Sequence, residues 1–94
     1  MKKAIVNKKT FLYDEEHAIV HYVTPATEEE KQDNEEWQVK YGKNLWDFIN
    51  HNGKDYTLIT SAGLSRENWK NKEAREEYLS EWLWELDEEV KYMI

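Results

Sequence analysis

The chain has no cysteine, a single proline and only three glycines among its 94 residues. Without cysteine, disulfides and thiolate metal sites are excluded, and nothing marks the redox compartment. Long apolar runs are missing too. Lys2 and Lys3 are followed only by Ala4-Ile5-Val6, too short for the apolar core of a secretory signal. No stretch approaches the roughly 20 apolar residues that a membrane helix needs. A soluble protein that stays in the cytoplasm is therefore expected. Catalytic signatures are equally scarce, with no GxSxG elbow, P-loop, GxGxxG or HExxH among these residues. No enzyme, cofactor or metal is expected.

Aliphatic residues are few. Leu, Ile, Val and Phe together make 19 of the 94 residues, about the level at which a charged chain fails to bury a core. Mean hydropathy is -1.02. Aromatic residues answer that deficit. Five Trp and six Tyr supply large buried surfaces, and disordered chains are poor in them. One small folded domain over residues 1–94 is the expectation, with a core that relies on aromatic rings.

The formal net charge is -7, and it is unevenly spread. Residues 1–13 carry +4, residues 14–36 carry -8, residues 37–72 carry +3 and residues 73–94 carry -6. A polyanion-binding surface over the whole molecule is thereby disfavoured.

The N-terminal third reads as strands. Ala4–Val6, Thr10–Tyr13 and His17–Val23 are β-branched or aromatic runs, separated by Asn7-Lys8-Lys9 and Asp14-Glu15-Glu16 as in hairpins. Pro25 is expected to end the third. Thr27 followed by Glu30 fits a capping box. Because 28–36 holds no apolar residue, that segment reads as a solvated helix or a mobile acidic loop. For Asn44–His51 a helix is preferred, with Asn44 as cap; the rival is a hairpin turning on Asn52-Gly53. A strand is expected at 55–60, a short helix capped by Ser65, and a longer one capped by Asn71. In the last, Tyr78, Leu79, Trp82, Leu83, Leu86, Val90 and Met93 recur at three- and four-residue steps, one apolar stripe. The sum is an α+β domain, a small antiparallel sheet with helices on one face and a long acidic C-terminal helix.

Two tryptophans stand two apart in that helix. At about 100° per residue, Trp82 and Trp84 point roughly 200° apart. Trp82 belongs to the apolar stripe. Trp84 is surrounded by Ser80, Glu81, Asp87 and Glu88. Either it folds over the helix edge or under the acidic 28–36 segment as part of the core, or it is an exposed anchor. Binding hot spots are enriched in Trp, and an indole ringed by carboxylates suits an Arg-rich target.

Other candidates are weaker. His17 and His21, beside Asp14, Glu15 and Glu16, have the spacing of a metal pair, but residues four apart on a strand lie roughly 13 Å apart. Gly63, in Thr60-Ser61-Ala62-Gly63, reads as a plain strand-to-helix turn in preference to one that offers N–H groups to an anion.

Three functions follow from these features. The first is an acidic inhibitor or modulator that fills a basic, nucleic-acid-binding groove of a protein partner. Its carboxylates would be Glu77, Glu81, Glu85, Asp87 and Glu88 around Trp84, extended by Glu28, Glu29, Glu30, Glu35 and Glu36. In composition the chain resembles phage-encoded DNA mimics, including inhibitors of restriction and CRISPR nucleases, although no motif points to a particular family. The second is a subunit or homo-oligomer whose apolar stripe, or Trp84 with Trp37 and Trp46, is covered by another chain. The third is single-strand binding through Lys2, Lys3, Lys8, Lys9, Lys40, Lys43 and Lys54, with Phe11, Tyr13 and Tyr41 stacking on bases.

Overall fold

The computed structural model describes the backbone of residues 1–93 and the side chains of residues 1–86. Five strands form one antiparallel sheet: β1 (Lys2–Val6), β2 (Lys9–Asp14), β3 (Ile19–Pro25), β4 (Phe48–His51) and β5 (Lys54–Gly63). Their order is β1-β2-β3-β5-β4, so β1 and β4 are the edges. Helix α1 (Glu28–Tyr41) joins β3 to β4, and α2 (Arg66–Lys70) and α3 (Lys72–Met93) follow β5. The α+β class expected from the sequence is thus observed.

Turn chemistry explains the hairpins. Asn7 and Lys8 adopt φ of 52° and 65°, the left-handed pair of a type I′ turn between β1 and β2. Asn52 and Gly53 do the same between β4 and β5, with φ of 51° and 82°. This corrects the helix preferred for Asn44–His51. A turn that matches strand twist fixes Phe48–His51 opposite Lys54–Thr57, and the ladder outweighs the helical spacing of Leu45 and Phe48. The β2–β3 turn spans Glu15–Ala18, so His17 lies in the turn rather than in β3.

Alternation sorts the side chains between two faces. On one face Val6, Phe11, Tyr13 and Val20 pack against Leu64, Trp69, Leu79 and Leu83. Rings dominate this cluster. Tyr13 stacks on Trp69 with centroids 4.4 Å apart, and its hydroxyl donates to the Leu64 carbonyl at 2.6 Å. Phe11 lies between Tyr22 and Trp82, at 5.4 and 5.9 Å. On the other face Leu12, Val23 and Tyr56 form a smaller cluster with Ile49 and Leu58, and no described helical residue belongs to it.

Capping side chains set the helix ends. Thr27 and Glu30 form the reciprocal capping box, at 3.1 and 3.0 Å. Gly42, at φ 70°, ends α1 in the left-handed conformation. Ser65 Oγ accepts from Asn68 N, and Asn71 Oδ1 accepts from Ala74 N. Arg75 bridges α2 and α3, its guanidinium 4.9 Å above the Trp69 ring and one N–H donating to the Trp69 carbonyl.

Segment 28–36 is a solvated helix. In α1 the only buried residue is Asn34, a polar one. Its Oδ1 accepts from the backbone N–H of Leu45 at 2.8 Å and Trp46 at 3.0 Å, and so fastens the 42–47 connection to the helix. Lys31 reaches Asp55 on β5 at 3.2 Å. Polar ties replace the apolar face this helix lacks.

Candidate protein-interaction surface

The apolar side of α3 is turned to the sheet, where Leu79 is fully buried and Leu83 nearly so. That leaves the opposite side in solvent. Trp84 is 66% exposed, so neither core arrangement open to it in the sequence is adopted. At ~100° per residue Trp84 falls about 20° from Glu77 and about 60° from Glu81 around the axis, well away from Leu79. Glu77, Glu81 and Glu85 are all exposed and rise about 6 Å per step along the helix. Asp87 and Glu88 lie outside the described side chains.

Beside the indole is a hollow of about 320 Å³, bounded by Ser80, Leu83 and Leu86 of α3, by Tyr22, and by Asn7 and Lys9 of the β1–β2 hairpin. Asn7 Nδ2 donates to Ser80 Oγ at 3.4 Å and holds the hairpin tip to the helix. The indole therefore stands on a braced surface next to a shallow cavity.

The second acidic group is elsewhere. Glu28, Glu29, Glu35 and Glu36 are exposed on α1, while Glu30 is half-buried and occupied by the capping box. α3 runs beside β1 at one edge of the sheet, whereas α1 is tied to β5 and to the 45–46 backbone toward the other. No described hydrogen bond or ion pair joins α1 to α3. The two acidic groups are separate surfaces, and Trp37 and Trp46 do not meet Trp84.

Other sequence candidates resolve differently. Phe11 and Tyr13 are fully buried and cannot stack on bases. Gly63 ends strand β5 opposite Ile19, so its segment is ladder rather than an anion-binding turn. The two histidines have separate partners. His21 on β3 has Nδ1 2.6 Å from Ser61 Oγ, and burial lowers its pKa. His17 Nδ1 lies 2.7 Å from Asp14 Oδ2; this hydrogen bond, with the Asp14 charge, raises the His17 pKa and lowers that of Asp14. Asp14, Glu16 and His17 do bring ligand atoms within 4.8 Å of one another. Asp14 Oδ1 accepts from the N–H groups of Glu16 and His17, which makes the cluster a turn lock.

One feature escaped the sequence reading. Lys2, Lys3, Lys70, Lys72 and Arg75 line a single groove of about 560 Å³ along the outer edge of β1, with Glu76 as its one acid among the described residues. The two lysine pairs lie nearly 70 residues apart, and only the fold brings them together.

Among the described residues no helix is long and apolar enough to cross a membrane. No protein-family model, curated protein or solved structure matches the chain.

Proposed function

We propose that this protein acts by binding, as an acidic inhibitor or modulator that occupies the basic, nucleic-acid-binding groove of a protein partner. In this reading α3 is a long acidic C-terminal helix whose solvent side replaces the phosphates of a nucleic acid. The observation that carries it is Trp84, 66% exposed beside the Glu77–Glu81–Glu85 row. A large apolar ring in solvent has no role in the core, and rings of this type dominate interface energetics. Arginine from the partner would stack on the indole while the neighbouring carboxylates accept its N–H groups. Catalysis has no part in the proposal. The compositional resemblance to phage-encoded inhibitors of restriction and CRISPR nucleases agrees with it, and the α1 carboxylates would form a second contact.

A labelled oligo-arginine peptide tests the surface directly. Binding at low salt should weaken with rising salt. It should drop about tenfold in Trp84→Ala, the effect of losing roughly 1.4 kcal/mol. Equal affinity of Trp84→Ala and wild type would contradict the role given to the indole.

A second reading has support of its own. The sheet face that no described helical residue covers leaves Ile5 62% exposed. Self-association through that face would make the protein a homo-oligomer or a subunit, with the acidic surfaces serving solubility. Sedimentation equilibrium decides this, since a monomer at high concentration contradicts it.

A further inference from the structure

β1 is an edge strand, and its hydrogen-bonding pattern can be deduced. A two-residue type I′ loop makes its flanking residues, Val6 and Lys9, a mutually hydrogen-bonded pair. Alternation then turns the N–H and C=O groups of Lys2, Ala4 and Val6 toward β2. Those of Lys3 and Ile5 point outward, into the groove of about 560 Å³ that separates this edge from α2 and α3. Protein edges are commonly blunted by a bulge, a proline, a covering segment or charged side chains, and of these β1 has only Lys2 and Lys3. Here the pairing of β1 with β2 is regular from Lys2 to Val6, and Ile5 is 62% exposed.

The groove is also strongly cationic in an acidic protein. Lys2 is paired with Glu15 at 2.8 Å. Among the described residues no carboxylate pairs with Lys3, Lys70 or Lys72. Arg75 uses one N–H on the Trp69 carbonyl, and its Nε is buried without a described partner. A free strand edge with a row of lysines on the facing helices matches one chemistry: a peptide backbone to extend the ladder, with carboxylates at alternate positions to meet the lysines.

We infer that the β1 edge and the basic groove beside it form a second docking site, which adds an extended acidic segment of another protein as a sixth strand of the sheet. It involves neither Trp84 nor the acidic side of α3 and stands independently of the function proposed above. The charge of the site is opposite to that of the α3 surface, so one protein would bring together a basic and an acidic partner.

The test uses a fluorescein-labelled peptide of alternating Glu and Val, read by fluorescence anisotropy on the full chain at low salt. Binding is expected, about tenfold weaker in the double variant Lys70→Glu/Lys72→Glu and unchanged in Trp84→Ala. The same peptide N-methylated at every amide keeps its charges but offers no N–H to a strand edge, and it should lose binding. Ile5→Pro removes the outward N–H at the edge and should do the same; if that variant lowers the melting temperature, the N-methylated peptide tests the same bonds from the other side. Absence of binding to the unmodified peptide overturns the inference. Equal binding of the N-methylated peptide overturns strand addition. Tighter binding of a single-stranded oligonucleotide than of the peptide assigns the groove to phosphate and overturns it as well.

Discussion

Asn34→Ala tests the way α1 is attached to the rest of the fold. In α1 Asn34 is the one buried side chain, and its Oδ1 accepts two backbone hydrogen bonds, from Leu45 N at 2.8 Å and Trp46 N at 3.0 Å. A net hydrogen bond in a protein is worth about 0.5–1.5 kcal/mol, so losing both removes roughly 1–3 kcal/mol from the closed form of the 42–47 connection. Water can reach a surface connection once it opens, so the lower half of that range is expected. Native-state hydrogen exchange reads the effect at the two amides themselves. Leu45 and Trp46 should exchange about five- to thirtyfold faster, while amides in the β2–β3 ladder keep their protection. Asn34→Asp retains the acceptor oxygen and should preserve most of the protection. Unchanged exchange at Leu45 and Trp46 in Asn34→Ala would mean that α1 is held by something other than these two bonds.

Leu79→Ala opens a cavity beneath α3 at a fully buried position and should destabilise the fold by about 3–5 kcal/mol, measured by urea denaturation. Trp84→Ala should stay within about 0.5–1 kcal/mol of wild type, since the indole is mostly in solvent and alanine favours helix. The histidines should titrate in opposite directions by NMR, His17 above 6.5 and His21 below it. Because the folded-state pKa of His17 is raised, its pairing with Asp14 stabilises fully below about pH 6.5 and fades as pH rises through the folded value. The lowered pKa of Asp14 sets the acid limit, below which the pair is lost again. Asp14→Asn should return His17 toward 6.5 and lower His21 further, because the Asp14 charge opposes the effect of burial there.

Most of the local structure was legible because single residues decide it. The Thr27–Glu30 box and the Ser65 and Asn71 caps each carry their geometry in one or two side chains. Asn44–His51 was not legible, because Asn44 suits a helix cap while Asn52-Gly53 suits a type I′ turn. There the outcome depends on a non-local fact: the β4–β5 hairpin and the Asn34 clamp take the backbone groups that a helix from Asn44 would have used. The exposure of Trp84 also needed the fold, since helix periodicity places the indole off the apolar stripe without saying what else approaches it. The basic groove was out of reach for the same reason. Lys2 and Lys3 meet Lys70 and Lys72 only when β1 takes the sheet edge beside α2 and α3.

Capturing partners on the immobilised protein from host-cell lysate at low salt, and eluting with duplex DNA, tests whether α3 occupies a nucleic-acid-binding groove. If α3 occupies a nucleic-acid groove, DNA and this protein compete for the same surface. Nucleic-acid-processing proteins should be captured, released by duplex DNA and by high salt, and not retained on Trp84→Ala. Partners that withstand both salt and DNA, or that bind Trp84→Ala equally well, would contradict that placement of α3.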